Sequence, residues 1–129
     1  MSKLSALTTA KRAARQNPAF KQAIVYATAT DAGSPVYTAE GELQYDKADD
    51  TLGYVDKSKE TILTLAATYQ GSHLVTVLSE VAPNGAALIL LDGTFYQIVS
   101  VHSSNVLATM VTYDCRALDA TDAPTIRNA

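Results

Sequence analysis

The sequence predicts a mainly β fold, a small antiparallel β-barrel or sandwich with a short N-terminal helix. Three observations carry this. Runs rich in Val, Ile, Leu and Tyr recur at 23–29, 36–45, 73–81 and 86–115, and such residues suit a pleated, half-buried backbone. Turn chemistry separates them, as Asp31-Ala32-Gly33-Ser34-Pro35, then "APNG" at 82–85, then Asp92-Gly93. The chain has 129 residues, enough for one domain that buries roughly 65–70% of its unfolded surface.

Residues 5–16, "SALTTAKRAARQ", predict a short helix. Ala and Arg favour it, and Ser5 is placed to cap its start. Its apolar content is mostly Ala, so alone it is marginal and needs a surface to dock on. Asn17-Pro18 ends it. "AIVYATA" at 23–29 predicts a strand, and 31–35 a turn leading to "VYTAEGELQYD", an antiparallel hairpin with a bulge at Gly41. Residues 46–60 hold five acidic residues and three lysines with little periodicity. They predict a long exposed loop with at most a short strand at Tyr54-Val55. Residues 61–69 fit helix or strand equally. "HLVTVLSEV" at 73–81 alternates as a strand does.

The last third is the most orderly. Three apolar runs meet at Asp92-Gly93 and at His102-Ser103-Ser104-Asn105, the pattern of a three-stranded meander. Tyr96 and Ile98 fall on one face, and Phe95, Val99 and Val101 on the other. Leu107, Val111, Tyr113 and Cys115 share a face of the final strand. Neither strand has a purely polar side, so both faces are covered or one meets another subunit. The sequence divides into a basic arm or helix at 1–21, a barrel domain at 22–118, and a flexible tail at 119–129.

Chemistry is sparse. The single Cys115 excludes an internal disulfide and any multi-thiolate zinc site. His73 and His102 lie far apart in no ligand spacing. No GxSxG, P-loop or GxGxxG motif occurs. Asp49-Asp50 fail the EF-hand pattern. The strands are poor in Lys and Arg, which weakens a nucleic-acid-binding reading. These features predict no catalytic, cofactor or metal site. The longest apolar run is too short to cross a bilayer as a helix, and the first residues lack the continuous apolar core of a secretory signal.

The charge is asymmetric. Lys3, Lys11, Arg12, Arg15 and Lys21 precede the first acidic residue, Asp31, so the first 21 residues carry +5 and the rest −8. A basic arm on an acidic body predicts docking on phosphate or an acidic protein surface. Arg12 and Arg15 at i, i+3, with Lys11 four before Arg15, form its basic face.

The stretch "LILLDGTFYQIVSVHSSNVLATMVTYDCRAL" resembles the end of tailed-bacteriophage neck proteins, the head-completion, head–tail joining and stopper proteins. The matching features are Leu91, the Asp92-Gly93 turn, the strand Tyr96-Gln97-Ile98-Val99-Ser100-Val101 and a last strand at 106–116. Upstream, "GSPVYT" fits loosely, and the resemblance covers roughly 20–118. It implies a small barrel with a flanking helix that assembles as a ring under the portal, extends the DNA channel and joins head to tail. It implies no enzymatic activity. The implied partners are further copies of the chain, a portal or adaptor protein, tail proteins and, by proximity, packaged DNA, with no membrane. The implied location is the virion neck, assembled in the host cytoplasm. On this reading Lys11, Arg12 and Arg15 dock the arm, and Asp46, Asp49, Asp50 and Asp56 form a channel or interface loop. The alternatives are a tail terminator, tail completion or capsid decoration protein, and a small ligand- or nucleic-acid-binding barrel.

Overall fold

The computed structural model describes residues 3–56, 73–79, 85–104 and 110–127. The fold is mainly β, a closed six-stranded antiparallel barrel with one helix outside it. The helix is α1 (Lys3–Ala14). The barrel strands are β1 (Lys21–Thr28), β4 (Gln44–Asp56), β5 (His73–Leu78), β6 (Leu88–Leu91), β7 (Thr94–Ser104) and β8 (Met110–Ala117). Around the wall they run β1-β6-β7-β8-β5-β4, and β4 pairs back onto β1. Two short strands, β2 (Thr30–Asp31) and β3 (Ser34–Pro35), form a separate ribbon, and β9 (Thr125–Ile126) lies parallel to the start of β4.

The first turn of the meander forms as the turn chemistry predicts, whereas residues 102–104, expected in the second turn, extend β7 to Ser104, and 105–109 lie outside the described residues. Asp92 and Gly93 both take positive φ, 51° and 81°, the geometry of a two-residue I′ turn. Leu91 then faces Thr94, and Leu88 faces Gln97. Ala32 and Gly33 repeat that turn between β2 and β3.

The barrel interior is the core. Ala23, Val25, Val75, Val77, Ile89, Leu91, Tyr96, Val111, Tyr113 and Cys115 form one buried cluster, with Ile98 packed against it. The faces assigned to Tyr96, Val111, Tyr113 and Cys115 are thus inward. Leu107 falls outside the described residues. Tyr113 is fully buried, and its hydroxyl finds no hydrogen-bond partner among the described residues. Burial, with a smaller contribution from Cys115, pushes its phenol up to about 12. The folded state therefore holds this proton at a pH where the unfolded chain has lost it. Stability falls as pH rises from about 10 towards about 12, by at most ~1.4 kcal/mol per pH unit. Tyr113→Phe removes an unsatisfied buried hydroxyl and leaves the ring, so it is expected to be neutral or stabilising by about 1 kcal/mol at pH 7. It is also expected to flatten the alkaline slope in denaturant melts followed from pH 8 to 11.

Four further expectations change. Residues 44–56 are not a projecting loop but a 13-residue strand, paired along β1 from Gly53 to Tyr45 and along β5 from Leu52 to Asp56. Its apolar residues alternate only over Thr51–Val55, and the acidic half carries no periodicity to read. A bulge opposite Val25/Tyr26 further breaks the pattern. Residues 57–60 lie outside the described residues, as do 61–72, which include the ambiguous 61–69. Gly41, at φ 87°, sits in a tight turn closed by Thr38 and Glu42 rather than in a bulge.

The third change concerns the tail, which is docked rather than loose. After Ala117 it makes a one-turn 3-10 helix (Ala120–Asp122) and reaches β4 as β9. The fourth concerns α1, which begins at Lys3, two residues before the cap assigned to Ser5, and lies on the chain's own barrel. Leu7 and Ala14 form a second buried cluster with Leu78, flanked by Ala10, Phe20 and Leu52. Leu7, Ala10 and Ala14 follow i, i+3, i+7, one stripe of a helix. Asn17 closes the helix exit, accepting from the Ala19 N–H through its side chain.

Candidate functional site

The side chains the sequence singles out are distributed over α1 and β4, and most of them engage this chain rather than open solvent. On α1, Lys11 shares the buried stripe of Leu7 and Ala14, so it is half-buried. Its aliphatic stem can lie on the barrel while its ammonium stays in water. Arg12 and Arg15 are exposed. Arg15 lies one residue past the helix, although its N–H still reaches the Lys11 carbonyl at 3.0 Å.

On β4 three carboxylates have three different surroundings. Asp50 accepts from Gln22 Nε2 at 3.2 Å and from Lys47 Nζ at 3.1 Å. These hydrogen bonds hold its carboxyl below the usual range, with weaker pulls from the charges of Lys47 and Lys11. The basic helix therefore meets part of its acidic complement within the same chain. Asp49 accepts from Ser79 Oγ at 3.2 Å. Asp46 receives Arg127 in a bidentate contact, Nε at 3.0 Å and Nη2 at 2.6 Å. Asp56 ends the strand, and its side chain falls outside the described residues. These acids do not come together as one exposed loop.

Arg127 and Asp31 escaped sequence reasoning. Arg127 Nη1 also reaches Asp31 Oδ1 at 3.1 Å, so one guanidinium ties the tail to both β4 and the β2–β3 ribbon. These pairs raise its pKa further above the usual arginine range. The available signal was slight: a β-branched pair, Thr125-Ile126, directly before the tail's lone cation. Arg127→Ala is expected to lower stability only slightly, since the pair is partly exposed. Hydrogen exchange at the Arg127 amide, bonded to the Tyr45 carbonyl at 2.8 Å, is expected to accelerate while β7 and β8 stay protected.

The tail crosses an open cleft of about 750 Å³ floored by Leu43, Tyr45, Leu88 and Leu118 and rimmed by Arg116 and Asp122. Val99, Val101 and Met110 are each 38% exposed on adjacent strands β7 and β8, where register shifts at Ile98/Ser100 and Val101/Ser103 interrupt the alternation and set Val101 opposite the inward Tyr113.

Among the described residues, titratable side chains do not converge on a reactive arrangement. His73 meets the edge of Tyr96 at 5.5 Å between ring centres and faces Cys115 in register. Cys115 is a buried core residue, and His102 is exposed on β7. Among the described residues no group of three or more His, Cys, Asp or Glu could hold a metal ion, and no helix is long and apolar enough to cross a membrane. No family model, curated protein or solved structure matches the chain.

Proposed function

We propose that the chain is a structural virion protein of the tailed-phage neck, a ring-forming barrel that joins the portal or its adaptor to the tail around the DNA channel. The observation that carries this reading is the partial exposure of apolar side chains, Val99 and Met110, on β7 and β8. A closed barrel removes most strand edges, so copies must associate largely through side-chain faces. Val99 and Met110 are apolar side chains exposed outside the core, and they supply such a surface. Presented to a different surface of the next copy, it makes a head-to-tail contact, which closes into a ring when the rotation is right. The resemblance noted in the sequence falls on these same strands and supports the same reading.

In this proposal Arg12 on the flanking helix and Arg15 just past it, both exposed, face the acidic surface of the portal or adaptor. Packaged DNA passes near the ring without sequence-specific contact. No cofactor is needed, and no residue is assigned catalysis. The β4 acids are assigned to contacts within the chain rather than to a channel loop.

Native mass spectrometry tests the ring. The chain is expected to form one closed oligomer, and Val99→Lys/Met110→Glu is expected to return it to a folded monomer. A wild-type chain that stays monomeric at all concentrations, or a charged double variant that still forms rings, would count against the reading.

A further inference from the structure

We propose that residues 118–127 act as an exchangeable strap that docks on a neighbouring copy of this chain when the ring assembles. The inference rests on the ring reading above and names a contact that holds it together.

The strap is attached mainly at its two ends. It leaves β8 through the Leu118 N–H, which donates to the Phe95 carbonyl at 2.9 Å. It is pinned again where Thr125 and Ile126 pair with Gln44 and Tyr45, where Thr125 Oγ1 donates to Glu42 at 2.8 Å, and where Arg127 grips Asp46 and Asp31. Between these ends lies the cleft of about 750 Å³. Segments that belong permanently to a fold pack at near-crystalline density. The strap instead bridges a gap, fastened by main-chain pairing to an edge and by partly exposed ion pairs.

The acceptor is an edge by construction. The last β4–β5 pair is Leu52 with Leu78, so β4 extends past β5 from Thr51 back to Gln44. That extension offers main-chain groups at its β9 end, with Asp46 beside them. Every copy carries the same edge and the same two aspartates. A strap moved to the next copy therefore remakes each contact it leaves, which is why swapping an identical element is a low-cost route to assembly. Reach is available too. Residues 118–124 span up to about 24 Å when extended, and unwinding the 3-10 turn at Ala120–Asp122 frees about 4 Å of that. The occupant of the edge is thus a second copy's Thr125–Arg127, recognised by a guanidinium between two carboxylates and a two-residue parallel pairing.

Mixed cross-linking tests this with the full chain. Glu42→Cys and Thr125→Cys are made as separate chains, mixed, assembled and oxidised with copper phenanthroline. The buried Cys115 is kept, and each single variant alone is the control. A disulfide between positions 42 and 125 in the mixture can form only across chains. The expected result is a covalent dimer in the mixture and absent from the controls, with a ladder up to the ring size from the double variant. A second pair, Gln44→Cys with Thr125→Cys, repeats the test should Glu42→Cys disturb its turn. Rings by native mass spectrometry with disulfide confined to single chains would overturn the exchange and leave the ring intact. Monomers cross-linked internally with no ring would overturn both.

Discussion

Gly53→Val is expected to prevent the barrel from folding, and Gly53→Ala to lower its stability by about 3 kcal/mol. Gly53 lies on β4 opposite Val77, where the two strands approach closely. A Cβ there would sit 2.5 Å from the Thr76 carbonyl oxygen and 2.8 Å from Val77 Cγ1. Two effects oppose each other. Ala in a strand gains roughly 0.5–1 kcal/mol over Gly from the smaller entropy lost on folding. The clash involves a backbone atom held in a ladder, so it cannot be relieved by a side-chain rotation and must move β5. The clash wins for Ala. For Val the two further methyl groups exceed what a domain stable by about 5–15 kcal/mol can absorb. Urea melts of the Ala variant and circular dichroism of the Val variant check this. An Ala variant as stable as wild type would mean that β4 and β5 lie farther apart here.

The second large effect separates packing from docking on α1. Leu7→Ala is expected to cost about 2–4 kcal/mol, since it opens a cavity against Leu78 in the second cluster. Arg12→Glu/Arg15→Glu is expected to leave stability within about 0.5 kcal/mol, because both side chains are exposed. It is expected to abolish joining to the partner ring, with single reversals giving a salt-sensitive intermediate. Deleting residues 1–17 does not isolate the arm, because it also strips the cover from Leu78 and Leu52. Melts read the first variant, and co-sedimentation with portal-containing heads reads the second. Reversal variants that still join heads would remove the arginines from the interface.

The meander was legible because its signals are local and agree. Asp92-Gly93 demands a tight turn, and the flanking runs alternate as strands. Strand β4 was not legible, because its pairing is set by partners distant in sequence. Its acidic half, Asp46 to Asp50, looks like a loop until β1 is laid beside it. The cover of the helix was half legible. Leu7 and Ala14 lie on one stripe, but nothing local says that Leu78 waits for them. The same holds for the strap, where the Arg127 contacts with Asp46 and Asp31 join residues more than eighty positions apart. Lys11, Arg12 and Arg15 were identified as charges, and only the fold separates the half-buried Lys11 from the two exposed arginines.

Immunogold electron microscopy of tailed particles that carry this chain tests the central claim most directly. Antibody raised against the barrel is expected to label the joint between head and tail, and particles lacking the chain are expected to separate there. Label on the capsid surface or the tail tip, or a joint that stays unlabelled and intact without the chain, would contradict the account.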